Sequence, residues 1–252
     1  MSAISSAKTA LPGIDNPERA PLLLWMIFTG LCVFAVVVLW RYGLIRLMVT
    51  SDRTYISSII AAFYIITSGH CLWRTRAIAR EGEAARRCRA ILSARDGMQG
   101  NIDAAVMPAG LVTDHIRSLV MKAKAQSAGR IDQTLLLRSL ADRLRGSNGF
   151  GAFASDTLMK LGLLGTIIGF IIMLAPIATL DAADKSAMKS SMGLMSDGMA
   201  VAMYTTLAGL VGSILVRIQY YMLDAATQQV FSDAVTLTET RVTPALERQN
   251  HG

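Results

Sequence analysis

Apolar residues in this chain fall into four long runs separated by charged stretches. Pro21 to Trp40 is twenty residues without a charged side chain, and Thr54 to Trp73 is twenty more whose one titratable group of note is His70. Leu161 to Leu180 is twenty uncharged residues, and Gly198 to Val216 is nineteen. About twenty apolar residues, at about 1.5 Å each, cross a hydrocarbon core of about 30 Å. The pattern therefore predicts four transmembrane helices. Trp25 and Trp40 bracket the first run and Tyr55 and Trp73 the second, as an interfacial aromatic belt favours.

Between the second and third runs the pattern changes. Arg74 to Arg95 is rich in Ala, Arg, Leu and Glu, all strong helix formers. Gly97, Gly100 and Asn101 break it, and Pro108 and Gly110 mark a further turn. From Ile131, Leu135, Leu136, Ser139, Leu140 and Leu144 approximate an i, i+4 stripe. Gly146, Ser147, Asn148 and Gly149 form a hinge before the third run. Arg217 to Glu239 has neither Pro nor Gly, which predicts that the fourth helix continues beyond the membrane. The expected fold is all-α and integral to the membrane. It has four spans, a helical segment between spans two and three, and an extension of span four. The expected divisions are an N-terminal segment 1–20, a transmembrane hairpin 21–73, a basic helical segment 74–153, a second hairpin 154–220 and a C-terminal helix and tail 221–252.

Composition agrees. Of 252 residues 52% are hydrophobic and 17% charged, against about 25% charged in soluble domains, and mean hydropathy is +0.42. This argues against a soluble enzyme and against a disordered chain. The net charge of +7 is concentrated: Arg74 to Arg145 holds fourteen Lys/Arg and seven Asp/Glu, an excess equal to that of the whole chain. The positive-inside rule makes that segment cytoplasmic, and four spans then place both termini inside. Arg41 to Arg53, with three arginines and one aspartate, is the misfit, since this topology places it outside. The first run is expected to be retained rather than cleaved, because it is longer than a signal-peptide core and no A-x-A-like site follows it. The basic charge is read as an orientation signal and solvated face. It lacks the interleaved aromatics that would suit nucleic acid, and lipid or a cytoplasmic effector remains a candidate contact.

Soluble-type catalysis has no foothold. His70, His115 and His251 are scattered, Cys32, Cys71 and Cys88 do not make a ligand set, and no nucleophile or nucleotide motif occurs. No enzyme activity, metal or cofactor is expected. The third and fourth runs are more informative. Gly162, Thr166, Gly169 and Met173 follow i, i+4, i+7, i+11 and share a helical face, as do Ala202, Thr206, Gly209 and Ser213. Each helix thus carries small residues and one threonine on a narrow face, the pattern that lets membrane helices approach closely. Gly165 adds a Gly-x-x-x-Gly pair with Gly169. By residue count Thr166 lies about 13 Å and Thr206 about 16 Å from the basic side, near mid-membrane. Neither run has a carboxylate in its middle, so a proton path needs an acid from another chain. His70, near the cytoplasmic end of span two, is read as interfacial.

Leu161-Gly162-Leu163-Leu164-Gly165-Thr166-Ile167-Ile168-Gly169 resembles the G-L-x-G-T-V-x-G signature of the MotA/TolQ/ExbB ion-channel family. Ala202-Met203-Tyr204-Thr205-Thr206-Leu207-Ala208-Gly209-Leu210 is similar to the A-L-x-x-T-x-x-G-L signature of that family's next helix. The likeness covers about Ser155 to Tyr220, and the two extra N-terminal spans make the layout MotA-like. The resemblance implies a homopentamer in the bacterial inner membrane around a single-span partner similar to MotB, ExbD or TolR. That partner carries an intramembrane aspartate. Thr166 and Thr206, with Thr205 beside them, are then expected on the ion pathway. Gly162, Gly165, Gly169, Ala202, Gly209 and Ser213 pack the helices along it. The expected ion is H⁺ in preference to Na⁺, driving a rotary motor or energiser. The competing reading is a non-conducting pentameric scaffold or sensor. Val201 stands where ExbB-like members place a glutamate, so a step using that group is absent or done differently here.

Overall fold

A computed structural model describes residues 20–43, 55–95, 108–125, 132–179 and 185–250, and every described element is helical. The helices in chain order are α1 (Ala20–Arg41), α2 (Ile56–Arg95), α3 (Leu111–Ala125), α4 (Thr134–Arg145), α5 (Phe150–Leu174), α6 (Lys185–Leu237) and α7 (Thr243–Asn250). A 3₁₀ turn, Ala175–Thr179, extends α5, and a π turn, Thr238–Val242, joins α6 to α7. Stretches of α2, α5 and α6 are each long and apolar enough to cross a membrane, and a shorter apolar stretch, Met26–Val38, lies on α1. The all-α membrane architecture expected from the apolar runs is what is found. Most of the N-terminal segment, the basic connection after Arg41, the break at Gly97–Asn101 and part of the connection between spans three and four lie outside the described residues.

Local chemistry explains the ends of these helices. α1 closes on Gly43, whose φ of +74° and N–H bond to the Trp40 carbonyl (2.9 Å) suit glycine at a helix C-terminus. α4 closes similarly on Gly146, φ +44°, which donates to Asp142 at 2.9 Å. At the start of α4, Asp132 accepts from both the Thr134 amide (3.0 Å) and hydroxyl (2.6 Å), and these bonds hold its carboxyl below the ordinary range. α6 starts earlier than the fourth apolar run. Lys185 to Asp197 contains no proline, so this charged stretch joins the helix rather than forming a loop.

The described residues divide into two compact units, those within Ile27–Arg74 and Ser147–Asp224, and those within Thr75–Gly146 and Ala225–Gly252 together with the first turns of α1. The first contains the candidate site and is built below. In the second, the latter part of α2, α3, α4, the end of α6 and α7 enclose Ile78, Cys88, Val112, Ile116, Leu119, Leu144, Ala234 and Val242. Glu81 accepts the Leu111 N–H at 2.7 Å, so α2 satisfies an orphan donor at the start of α3 with a negative charge where the helix dipole favours one. Gly110 permits this approach: a Cβ there would meet Glu81 and Ala84 at 3.0 and 3.1 Å. Gln133 donates its amide to Glu239 in the π turn. Leu140 and Leu144 are buried as the stripe predicts, but Leu135 is 73% exposed. Five residues before Leu140, it points about 140° away from the buried face.

His115 on α3 is 6% exposed, and its ring bonds the Leu136 backbone. Burial pulls its pKa below the ordinary 6.5. It borders a cavity of about 150 Å³ together with Asp114, Ser118, Ser139 and Arg143. The unfolded chain takes up a proton at this residue before the folded unit does. The stability this contributes is therefore complete above about pH 6.5 and is lost as pH falls below it. Thermal unfolding followed from pH 8 to pH 5 is expected to show a falling midpoint for this unit, with a shallower fall in His115→Leu. Parallel profiles for the two proteins would remove His115 from the pH response.

Candidate ion pathway

The first unit is organised by close backbone contact between α5 and α6. Gly162, Gly165 and Gly169 are buried on α5, facing Gly198, Ala202, Thr205 and Gly209 on α6. A Cβ on Gly209 would lie 2.7 Å from both the Gly162 Cα and the Leu158 carbonyl oxygen, and one on Gly198 would lie 2.5 Å from the Met173 nitrogen. A Cβ on Gly165 would lie 2.3 Å from the Thr205 hydroxyl oxygen. Ser155 and Ser213 extend the seam, with hydroxyl oxygens 2.9 Å apart and the Ser155 hydroxyl also 3.1 Å from the Ser213 carbonyl. Without a hydrophobic driving force between helices in lipid, such packing and hydrogen bonding hold the pair.

The observed seam is rotated from the face drawn on Thr166 and Thr206. On α6 it runs through Gly198, Ala202, Thr205 and Gly209, which also follow i, i+4, i+7, i+11. On α5 it runs through Gly165 rather than Thr166. Glycine admits a neighbouring backbone where threonine does not, so the glycine line is the one that closes. Thr205 consequently has no exposed surface, and its hydroxyl bonds the Val201 and Ala202 carbonyls of its own helix (2.9 and 3.1 Å). Val201 is also buried.

Thr166 and Thr206 flank the seam and line one open groove with Ala202, Met203, Tyr204, Leu207 and Leu210, a space of about 540 Å³. Their polarity has a direction. Thr166 donates to the Leu163 carbonyl at 2.5 Å, and Thr206 donates to Ala202 at 3.0 Å with Gly162 at 3.5 Å. Each hydrogen is thus directed to a helix carbonyl. The Gly162 contact sets Thr206 level with a residue one turn from Thr166, an offset of about 6 Å along α5. Met203 and Leu207 are 65% and 60% exposed, so the groove wall is otherwise apolar.

A second polar cluster in this unit had only a weak signal in sequence. His70 on α2 meets the Tyr220 hydroxyl through Nδ1 at 2.7 Å and the Ser147 hydroxyl through Nε2 at 3.3 Å. Nearby, Arg74 donates to Asn148 at 3.3 Å and Gln219 donates to Ser68 at 3.1 Å. Gly151 makes room for Tyr220, because a Cβ there would overlap its ring at 2.1 Å. His70 and Tyr220 are 150 residues apart. Only the i, i+7 recurrence of hydroxyls at Thr206, Ser213 and Tyr220 could have suggested that they share a line.

The seam makes a sharp comparison possible. Gly209→Ala forces a methyl into backbone, whereas a Cβ on Gly212 would meet Leu158 at an ordinary 3.7 Å. Gly209→Ala is expected to destabilise the protein by about 1–3 kcal/mol, and Gly212→Ala to leave it unchanged or slightly more stable. Thermal unfolding in detergent checks this, and equal midpoints for the two variants would contradict the seam.

Comparison with known proteins adds the family. No match was found among curated proteins or among solved structures. Residues 100–234 match the MotA/TolQ/ExbB proton channel family. That range contains α3, α4, α5 and most of α6, including the glycine seam and both groove threonines. It spans more than half of the chain, which belongs to the MotA/TolQ/ExbB proton channel family.

Proposed function

We propose that this chain is a subunit of an ion-driven motor or energiser of the bacterial inner membrane. Five copies surround a single-span partner similar to MotB, ExbD or TolR, and Thr166 and Thr206 form the chain's side of the ion path. The observation that carries this reading is the groove, an apolar wall lined by two threonines whose hydroxyls donate to carbonyls of their own helices. An apolar helix bearing one protonated carboxyl is complementary to it: its side chains cover Met203, Leu207 and Leu210 while its acid donates to a threonine. When the acid loses its proton, a threonine hydroxyl turns from its carbonyl to donate to the carboxylate. The carboxylate therefore prefers a different local arrangement from the acid, and that preference is a two-state element biased by one proton.

Family membership and the charge pattern support the rest. The uncharged middles of the third and fourth runs require the acid to come from a partner. The basic segment Arg74 to Arg145 faces the cytoplasm with both termini, and lipid or a cytoplasmic effector or rotor meets it there. The hydroxyl pair without a second carboxylate favours H⁺ over Na⁺. Thr205 supports the wall from beneath, its hydroxyl committed to its own helix.

The lack of an internal acid equally suits a non-conducting scaffold or sensor, and substitution separates the two readings. Thr206→Val keeps the shape and removes the hydroxyl. It is expected to lower ion-dependent activity by at least about tenfold, in the range of a lost pathway hydrogen bond, with membrane assembly intact by native electrophoresis. Thr205→Val is expected to retain most activity. Full activity in a correctly assembled Thr206→Val variant would favour the scaffold.

A further inference from the structure

His70 is held in a way that packing alone does not require. Its ring lies nearly parallel to Tyr220 (centroids 6.3 Å apart, 16° between planes) and edge-on to Phe150 (5.3 Å, 65°), with Trp73 tilted against it at 6.1 Å. Three aromatic neighbours fix the plane of the imidazole while both ring nitrogens point at hydroxyls, Nδ1 at Tyr220 and Nε2 at Ser147. Gly151 keeps Tyr220 in place by lacking a Cβ. Ser147 is exposed and Tyr220 only 6% exposed, so one nitrogen faces the watery side of the cluster and the other its interior.

We propose that His70 is a proton-exchange group at the end of the α5–α6 hairpin that adjoins the basic segment. The proposal rests on the ion-pathway reading above and adds a titratable residue to it. A hydroxyl both gives and accepts hydrogen bonds. Either neutral tautomer of His70 is therefore satisfied by Tyr220 and Ser147, and so is the imidazolium, whose two N–H groups donate to the two hydroxyl oxygens. Taking up a proton requires only that hydroxyl hydrogens rotate. The balance is simple: as the Tyr220 hydroxyl receives a proton from the line it passes its own hydrogen to Nδ1, and the imidazolium then gives its Nε2 proton to a water at the Ser147 side, which becomes hydronium.

The position of His70 matters for flux. Hydroxyls recur along α6 at Thr206, Ser213 and Tyr220, every seventh residue, a spacing that drifts only about 20° per step. Ser155 of α5 is bonded to the middle one. His70 ends this line. Among the described residues the charged and titratable groups around it are Tyr220 from α6, with Arg217 and Asp224 one turn to either side, and Cys71 beside it and Arg74 one turn along on its own α2; α5 contributes Phe150 and, further along, Asp156. The imidazolium adds a second positive charge within a turn of Arg74. Acid on this side keeps the group charged and opposes delivery of further protons, whereas the neutral ring receives them. Histidine is the side chain whose charge ordinarily changes between about pH 5 and 8.

Everted membrane vesicles from the native cell, in which the basic-segment side faces the medium, allow the test. Dye-reported collapse of an imposed proton gradient is measured against medium pH for wild type, His70→Asn, Tyr220→Phe and Thr206→Val. Wild-type flux is expected to fall as the medium is acidified through the histidine range. His70→Asn should be slower by about tenfold at neutral pH, at the low end for a positioned acid–base group, and nearly insensitive to pH from 5 to 8. Tyr220→Phe should lie between the two. If His70→Asn matches wild type in rate and profile while Thr206→Val is silent, His70 is structural and the proposal falls, with the pathway reading intact. If Thr206→Val conducts like wild type, or wild-type vesicles show no flux attributable to the protein, the pathway reading fails and takes this proposal with it. Independently of flux, ¹⁵N-histidine spectra of the protein in lipid, with the signal assigned by its absence in His70→Asn, should show His70 changing protonation over this range. An invariant signal would overturn the proposal even if flux were pH dependent.

Discussion

Everything in the membrane unit depends on two helix backbones touching. Gly162 and Gly209 place main chain on main chain, Gly169 and Gly198 repeat the arrangement nearer the connection between the two helices, and Gly165 admits the Thr205 side chain between them. In lipid this closeness is itself a source of stability, since neither helix gains by hiding apolar side chains from water. It also determines what the rest of the hairpin can present. Once glycine and Thr205 fill the seam, the next positions round each helix, Thr166 and Thr206, must open on its flank.

That geometry explains how two adjacent threonines with the same side chain occupy different chemical settings. Thr205 is sealed, and both of its contacts are carbonyls of its own helix. Thr206 has the same kind of bond to Ala202, but it lines open space. A hydroxyl already donating to its helix costs little to keep in lipid. The groove thus carries no charge of its own. Met203 and Leu207 leave the rest of the groove wall exposed and apolar.

The second unit follows soluble rules. A small apolar core around Ile116, Leu119 and Leu144 is closed by carboxylates at helix starts, Glu81 for α3 and Asp132 for α4. Burial of His115 there ties folding to acidity. The two units therefore place histidines in opposite settings. His115 is buried where a proton is unwelcome, and His70 is bracketed by two hydroxyls.

The linear chain was sufficient for most of the helices, because span length, charge and breakers are local properties read from consecutive residues, but it reads Asp181 to Asp197 as a loop where the structure has α6 from Lys185 onward. It was also sufficient for the two signatures, and so for the family. It was not sufficient for the rotation of α5 against α6: Gly162-Thr166-Gly169 and Gly162-Gly165-Gly169 each make a plausible face at 3.6 residues per turn, and only contact with the opposite backbone decides between them. Leu135 shows the same limit on a smaller scale, since a stripe of leucines does not say where its edge falls. The meeting of His70 with Tyr220 and Ser147 lay further out of reach. It joins residues from three places in the chain, and nothing in local pattern brings them together; it required α2, α5 and α6 to be packed, with a glycine at position 151 to let the phenol in.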